Sequence, residues 1–175
     1  VDEEGERYGI PGTWEGGVYE DFLLSESDWN FVKKQDLVAI PANNPNFREM
    51  IKRKTDKQCV SADYLDSENG LHMEDTLNGV DIAFIAAKRE NLKYYKKLAL
   101  EFGKLVIVTL GKHGSYAFYK NKTYFREAIP VRQIMDTTGC GDAFQAAFAL
   151  TYLQTQDIRK AMHKGALAAA RILQQ

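Results

Sequence analysis

Eleven consecutive residues, Ile134-Met135-Asp136-Thr137-Thr138-Gly139-Cys140-Gly141-Asp142-Ala143-Phe144, carry two glycines, two threonines and two aspartates where a short apolar stretch gives way to an Ala-rich one. A glycine pair at the start of a helix makes an anion site. The first amides of a helix have no intrahelical acceptor, and the aligned peptide dipoles place roughly +0.5 charge there. Gly139 and Gly141 lack a Cβ, so phosphate oxygens can approach those amides closely. Thr137 and Thr138 add hydroxyl donors. A carboxylate beside such a cradle repels the ligand unless it has a task, and the natural task for Asp142 is to orient an incoming alcohol and accept its proton during phosphoryl transfer. The plainer reading makes the glycines an ordinary loop and Asp142 a decoration of the first helical turn. GxGD alone is a weak pattern, which the preceding Asp136-Thr137-Thr138 strengthens. Neither GxxxxGK[ST] nor a completed GxGxxG is present, so a Walker loop and a dinucleotide fingerprint are unsupported.

The elements that must position this segment show an alternating rhythm. Short apolar or β-branched runs at Asp36 to Ile40, Gln58 to Ala62, Asp81 to Ile85 and Lys104 to Leu110 have the length of buried strands. Helical patterns lie between them, which predicts an α/β domain with a mainly parallel sheet. Ser25-Glu26-Ser27-Asp28 resembles a capping box, and Asn44-Pro45 puts Pro at a first helical position. Leu92, Tyr95, Ala99 and Phe102 recur at helical spacing, leaving Lys93, Lys96 and Lys97 to a solvated face. After Leu110 the rhythm changes: Ser115 to Tyr119 and Thr123 to Arg126 flank Lys120-Asn121-Lys122 and read as a hairpin. Two Ala- and Leu-rich helices, Phe144 to Leu153 and about Ile158 to Leu173, close the chain. The opening 20 residues hold Gly5, Gly9, Gly12, Gly16 and Gly17 and suggest an exposed strand pair or flap.

The 175 residues suit a single domain with a real core. The 23 basic and 24 acidic side chains sum to −1, so no global field gathers nucleic acid or anionic lipid, and any anion site is local. The longest apolar run, Ile82 to Ala87, falls far short of the roughly 18 residues of a membrane span. Cys59 and Cys140 lack CxxC or Cys/His spacing and read as two reduced thiols of a cytoplasmic protein. His72, His113 and His163 are scattered, without HExxH or a triad arrangement, and receive no role. The chain opens on Val1-Asp2-Glu3-Glu4 without an initiator Met or a secretory profile, which suggests a fragment or a processed form.

The run from Asp136 to Phe144 resembles the signature of the ribokinase (PfkB) family of carbohydrate kinases. Val106-Ile107-Val108-Thr109-Leu110-Gly111-Lys112-His113-Gly114-Ser115 resembles that family's strand-turn segment lining the nucleotide, in the expected order. The resemblance implies a ribokinase-like three-layer sandwich with helices on both faces of the sheet. It implies an anion hole at Gly139, Cys140 and Gly141, with Asp142 as the base. ATP would lie against Thr109, Gly111, Gly114 and Thr138, with Gly165 and Ala168 flanking adenine. Mg2+ is implied with ATP, held largely through phosphate oxygens and water. Glu90 matches the last residue of the family's NxxE element, and Asp136 is expected to order the loop and, as in some relatives, a nearby monovalent cation. Asp63 matches an acidic residue that closes a central strand. Two positions depart from the pattern: Ala87 stands where the element has Asn, and Cys140 replaces the commoner Ala.

Within the family, Arg7-Tyr8, the run from Gly12 to Phe22 and Leu24-Ser25-Glu26 most resemble fructoselysine 6-kinase-like members and related fructosamine kinases. Glu15 and Glu20 could meet a cationic amine on such a sugar-amine substrate, although surface carboxylates are usually only solvated. The expected division is a remnant of lid strands and connection over residues 1–24 and the ATP-binding, catalytic portion over 25–175, with a homodimer through the lid strands. The family's first strand and its Gly-Gly-rich, Asn-ending sugar segment do not appear before Arg7, so the fold is expected to be N-terminally truncated, with exposed sheet edges and little transfer activity in this chain alone. A catalytically silent nucleotide-binding module and a nucleoside or vitamin kinase of the same superfamily are the alternatives.

Overall fold

The computed structural model describes residues 17–66, 72–132, 134 and 136–174. Six strands form one sheet in the order β1-β2-β3-β4-β5-β6, running Leu37–Pro41, Cys59–Asp66, Ile82–Ala86, Leu105–Thr109, Ser115–Tyr119 and Lys122–Arg126. The first four pair in parallel and the last two antiparallel, so the hairpin closes one edge of a parallel sheet. Among the described residues the α-helices are α1 (Val18–Asp21), α2 (Glu26–Val32), α3 (Phe47–Arg53), α4 (Leu92–Phe102), α5 (Cys140–Thr155) and α6 (Ile158–Ile172). Among the described residues no helix is long and apolar enough to cross a membrane.

Strand alternation explains why helices cover both faces. Ala83, Ile85, Val106, Val108 and Phe118 share a core with Trp29 of α2, Phe47 and Met50 of α3, and Tyr95, Leu98 and Ala99 of α4. Their neighbours Ile82, Phe84, Leu105, Ile107 and Ala117 point the other way, onto Phe144, Phe148 and Ala149 of α5 and Ala161 and Met162 of α6. The period of two along each strand therefore builds two cores and three layers. Phe84 anchors the second core, edge-on to Phe144 and Phe148 with ring centroids 6.4 and 5.4 Å away.

Local signals account for the helix boundaries. Ser25 caps α2 as a capping box with Asp28, each side chain meeting the other's backbone amide. The lysines of α4 face solvent while Tyr95, Leu98 and Ala99 are buried, and Gly103 ends the helix at φ 65°. Two expectations need correction. Pro45 does not open a helix: the N-cap of α3 is Asn46, a buried side chain that accepts from the Leu24 amide at 2.9 Å and donates to the Phe22 carbonyl at 2.7 Å. That tie between distant segments selects Asn46 over the local Pro signal. Residues 18–21 form a single helical turn rather than part of a strand pair. The rest of the expected flap, with Glu15, lies outside the described residues, as does the side chain of Glu20.

Candidate active site

The parallel strands point their carboxyl ends at one edge of the sheet, where open α/β sheets bind ligands. Thr109 ends β4 there, Asp63 of β2 lies level with Pro41 at the end of β1, and Gln145 and Asp142 bring the start of α5 to Asp63. Gly139 is the N-cap of α5, in the left-handed region at φ 77° and ψ −1°. That conformation favours glycine, and a Cβ at Gly139 or Gly141 would meet nothing within 4 Å. The space beside both Cα atoms is open, as a ligand approaching the first-turn amides requires. Gly141 and Asp142 hold the second and third positions of the helix, where amides have no intrahelical acceptor. Asp142 is exposed. These residues fit a phosphate group facing an acid.

The loop before the helix is tightly folded. Asp136 Oδ1 accepts from both the amide (2.8 Å) and the hydroxyl (2.6 Å) of Thr138, so in this arrangement Thr138 donates inward. The Cys140 amide donates to the Thr137 carbonyl at 3.2 Å. Of the three amides that sequence reasoning groups into the anion hole, the one at Cys140 is therefore engaged within the turn.

Asp63, expected to close a central strand, lies within β2, which runs on to Asp66 through a register shift between the two. Burial pushes its carboxyl above the usual carboxylate range. Hydrogen bonds from Gln145 and the Leu65 amide pull it back, and the charges of Asp142 and Asp66 push it further up. The acid of β2 and the acid of α5 thus lie close enough for their charges to interact. Sequence reasoning missed Gln145; the available signal was its place three residues after Asp142, on the same face of α5.

The remaining candidates divide. Thr109 ends β4, its carbonyl accepting from the Ala87 amide at 3.1 Å. Gly111 (φ 54°) opens the following turn, and the Leu110 amide closes it on the Gly114 carbonyl at 2.9 Å. Gly114 is buried at φ 88°, and a Cβ there would overlap the Arg126 carbonyl and come within 3.0 Å of Glu127 Cα. Gly165 is buried against α5, where a Cβ would meet the Phe144 ring and carbonyl at 2.9 Å. Those two glycines have packing reasons of their own. Ala168 is half-buried on α6. Glu90 is exposed in the turn Arg89–Asn91 ahead of α4, while Asp136 lies in the loop before α5. Among the described residues no group of three or more His, Cys, Asp or Glu could hold a metal ion.

Comparison with known proteins bears on the family and the fold. Residues 24–175 match the model of the pfkB family carbohydrate kinases. The fructoselysine 6-kinase of Shigella flexneri is 28% identical over 166 residues, covering 93% of this chain and 63% of that protein. Among solved structures, a ribokinase from Thermotoga maritima superposes with a TM-score of 0.68 at 25% identity, over 85% of this chain and 53% of that one. A ribokinase from Arabidopsis thaliana, complexed with ribose and ATP, shares the fold at a TM-score of 0.72 and 23% identity, over 87% and 54% of the two chains. The chain thus spans between half and two thirds of these relatives' length. With the family model matching residues 24–175, nearly the whole chain, the chain belongs to the pfkB family of carbohydrate kinases.

Proposed function

We propose that the protein is an ATP-dependent sugar kinase whose acceptor is fructoselysine or a related fructosamine. One observation carries this reading: Gly139 caps α5 in the left-handed region beside open space, with Asp142 exposed in the first turn. When bound, ATP with Mg2+ supplies the phosphoryl group and offsets the charge on its oxygens. The amides of Gly139 and Gly141 stabilise the charge on the migrating group, as preorganised donors do at low cost in reorganisation. Asp142 orients the acceptor hydroxyl and takes its proton. Thr109, at the end of β4, and Gly111, in the turn that follows, contact the nucleotide in this reading. The name of the Shigella flexneri relative supports fructoselysine as acceptor, and the ligands of the Arabidopsis ribokinase support ATP as donor. Cys59 and Cys140, neither of them in a disulfide, suit a reducing, cytoplasmic setting.

The test is ADP release by the full-length protein with fructoselysine, other fructosamines, ribose and adenosine as acceptors, for the wild type and Asp142→Asn. The variant is expected to lose roughly 10²- to 10⁴-fold in kcat while ATP affinity changes little. Unchanged turnover in Asp142→Asn would remove the base from its role, and ATP binding without turnover of any acceptor would favour a silent nucleotide-binding module.

A further inference from the structure

At the end of α5 remote from Asp142, the hairpin and the α5–α6 turn enclose a cleft of about 520 Å3 that the kinase reading does not use. The 16 residues of α5 span about 24 Å at ~1.5 Å per residue, so a small molecule in this cleft cannot touch Asp142. Tyr119, Lys122 and Tyr124 line it from β5 and β6, Lys120 from the hairpin turn, Tyr152 from α5 and Arg159 from α6. The strand register explains the grouping. Tyr119 pairs with Lys122 and Ala117 with Tyr124, which sets these side chains on the face of the hairpin that packs against α5 and α6.

The charge in the cleft is one-sided. Lys120, Lys122 and Arg159 stand against a single acid, Asp157, whose carboxylate already accepts from the Lys160 amide at 3.0 Å as the cap of α6. Among the described residues none of the three cations has a carboxylate within salt-bridge distance. Two are held on aromatic faces: Arg159 lies 5.3 Å from the centre of the Tyr124 ring and Lys120 5.2 Å from that of Tyr119. A guanidinium stacked in this way keeps its donor edge free for a phosphate, which it binds in a bidentate fork. Tyr152, its ring stacked on Phe148 at 6.2 Å, contributes flat apolar surface at the cleft wall. The volume falls within the roughly 300–1,000 Å3 usual for small-molecule sites.

We propose that this cleft binds an aromatic monophosphate of the size of a mononucleotide, its phosphate on Lys122 and Arg159 and its ring against the tyrosines. The test is a backbone amide NMR titration of the chain with phenyl phosphate and with AMP, beside inorganic phosphate and benzyl alcohol. Saturable shifts are expected at 119–124 and 156–159 with both aromatic phosphates, at least tenfold tighter than with inorganic phosphate or benzyl alcohol. Shifts at 139–142 report AMP in the catalytic site and are scored separately. The exposed pair Lys122→Glu with Arg159→Glu is expected to weaken phenyl phosphate at least tenfold with its thermal midpoint kept, and Tyr152→Leu to narrow the advantage over inorganic phosphate. Absence of saturable shifts at 119–124, or equal affinity in a folded charge-reversed variant, overturns the site. Equal affinity for phenyl and inorganic phosphate overturns its aromatic half.

Discussion

The half-buried carboxyl of Asp63, within β2, has its proton affinity raised by burial and further by the charge of Asp142 in the first turn of α5. Burial is the larger cause, and Gln145 holds Asp63 from the same helix that presents Asp142. Two like charges this close cost stability wherever both carboxyls are ionised.

That cost has a sign that can be measured. A carboxyl whose proton affinity is higher in the folded chain contributes stability fully below its unfolded value of 3.8, and the contribution is lost as pH rises through the raised folded value. Asp63→Asn keeps the shape without the charge. It is expected to melt at a higher temperature than the wild type at pH 7, with the gap closing as pH falls toward 4. Thermal melts at the two pH values check this, and a variant that melts lower at pH 7 would mean that the ionised form has a stabilising partner.

The opposite pole of the sheet supplies a thiol prediction. Burial pushes the Cys59 thiol up to about 11, with Asp81 adding to the effect and Lys54 partly offsetting it. Lys54 Nζ lies 2.7 Å from Asp81 Oδ2, which also accepts from the Val60 amide at 2.7 Å. At pH 7 only about one thiol in 10⁴ would be ionised, and the thiolate is the reactive form. Alkylation of Cys59 by iodoacetamide, followed by peptide mass spectrometry, is expected to be far slower than that of a free cysteine at pH 7.5 and to rise steeply toward pH 11. Fast labelling at neutral pH would place the thiol in a more polar setting.

At Gly114 the constraint is backbone. With φ at 88° and the Arg126 carbonyl where a Cβ would go, alanine is strained in conformation and blocked in space. Gly114→Ala is expected to cost about 1–3 kcal/mol of stability, the usual range for a residue forced into a sparsely populated region. Because the Gly114 carbonyl holds the Leu110 amide, the turn after Thr109 should loosen too, weakening ATP binding. Chemical denaturation and nucleotide titration measure the two effects; a neutral substitution would show that the turn adapts freely.

Where the determinants are local, the sequence is readable. The four parallel strands declare themselves by short apolar runs, α2 by the reciprocal bonds of Ser25 and Asp28, and α4 by its lysine-free face. The glycine-acid start of α5 is likewise contained within a few residues. Long-range partners are not legible in this way. Nothing near Asn46 announces that its amide will tie down Phe22 and Leu24, and nothing near Asp63 names Gln145, 82 positions along the chain, as its donor. The engaged amide of Cys140 depends on how tightly the loop 136–139 closes, a geometric fact that residue types leave open.

Gly165 shows the same limit and gives the sharpest structural test. Resemblance assigns it to the adenine side of the site, yet its Cα is pressed against α5: a Cβ would come within 2.9 Å of both Phe144 Cδ2 and the Phe144 carbonyl. Phe144 lies two residues after Asp142 and is buried against Phe84, so neither ring nor backbone can retreat without moving the start of α5. Gly165→Ala is therefore expected to cost about 1–3 kcal/mol by overpacking and to lower kcat through displacement of Asp142. Adding Phe144→Leu relieves the ring contact but not the carbonyl one, so the double variant should recover part of the stability. If Gly165→Ala instead left stability and kcat intact while weakening ATP binding alone, contact with the nucleotide, and not helix packing, would be the reason for glycine at this position.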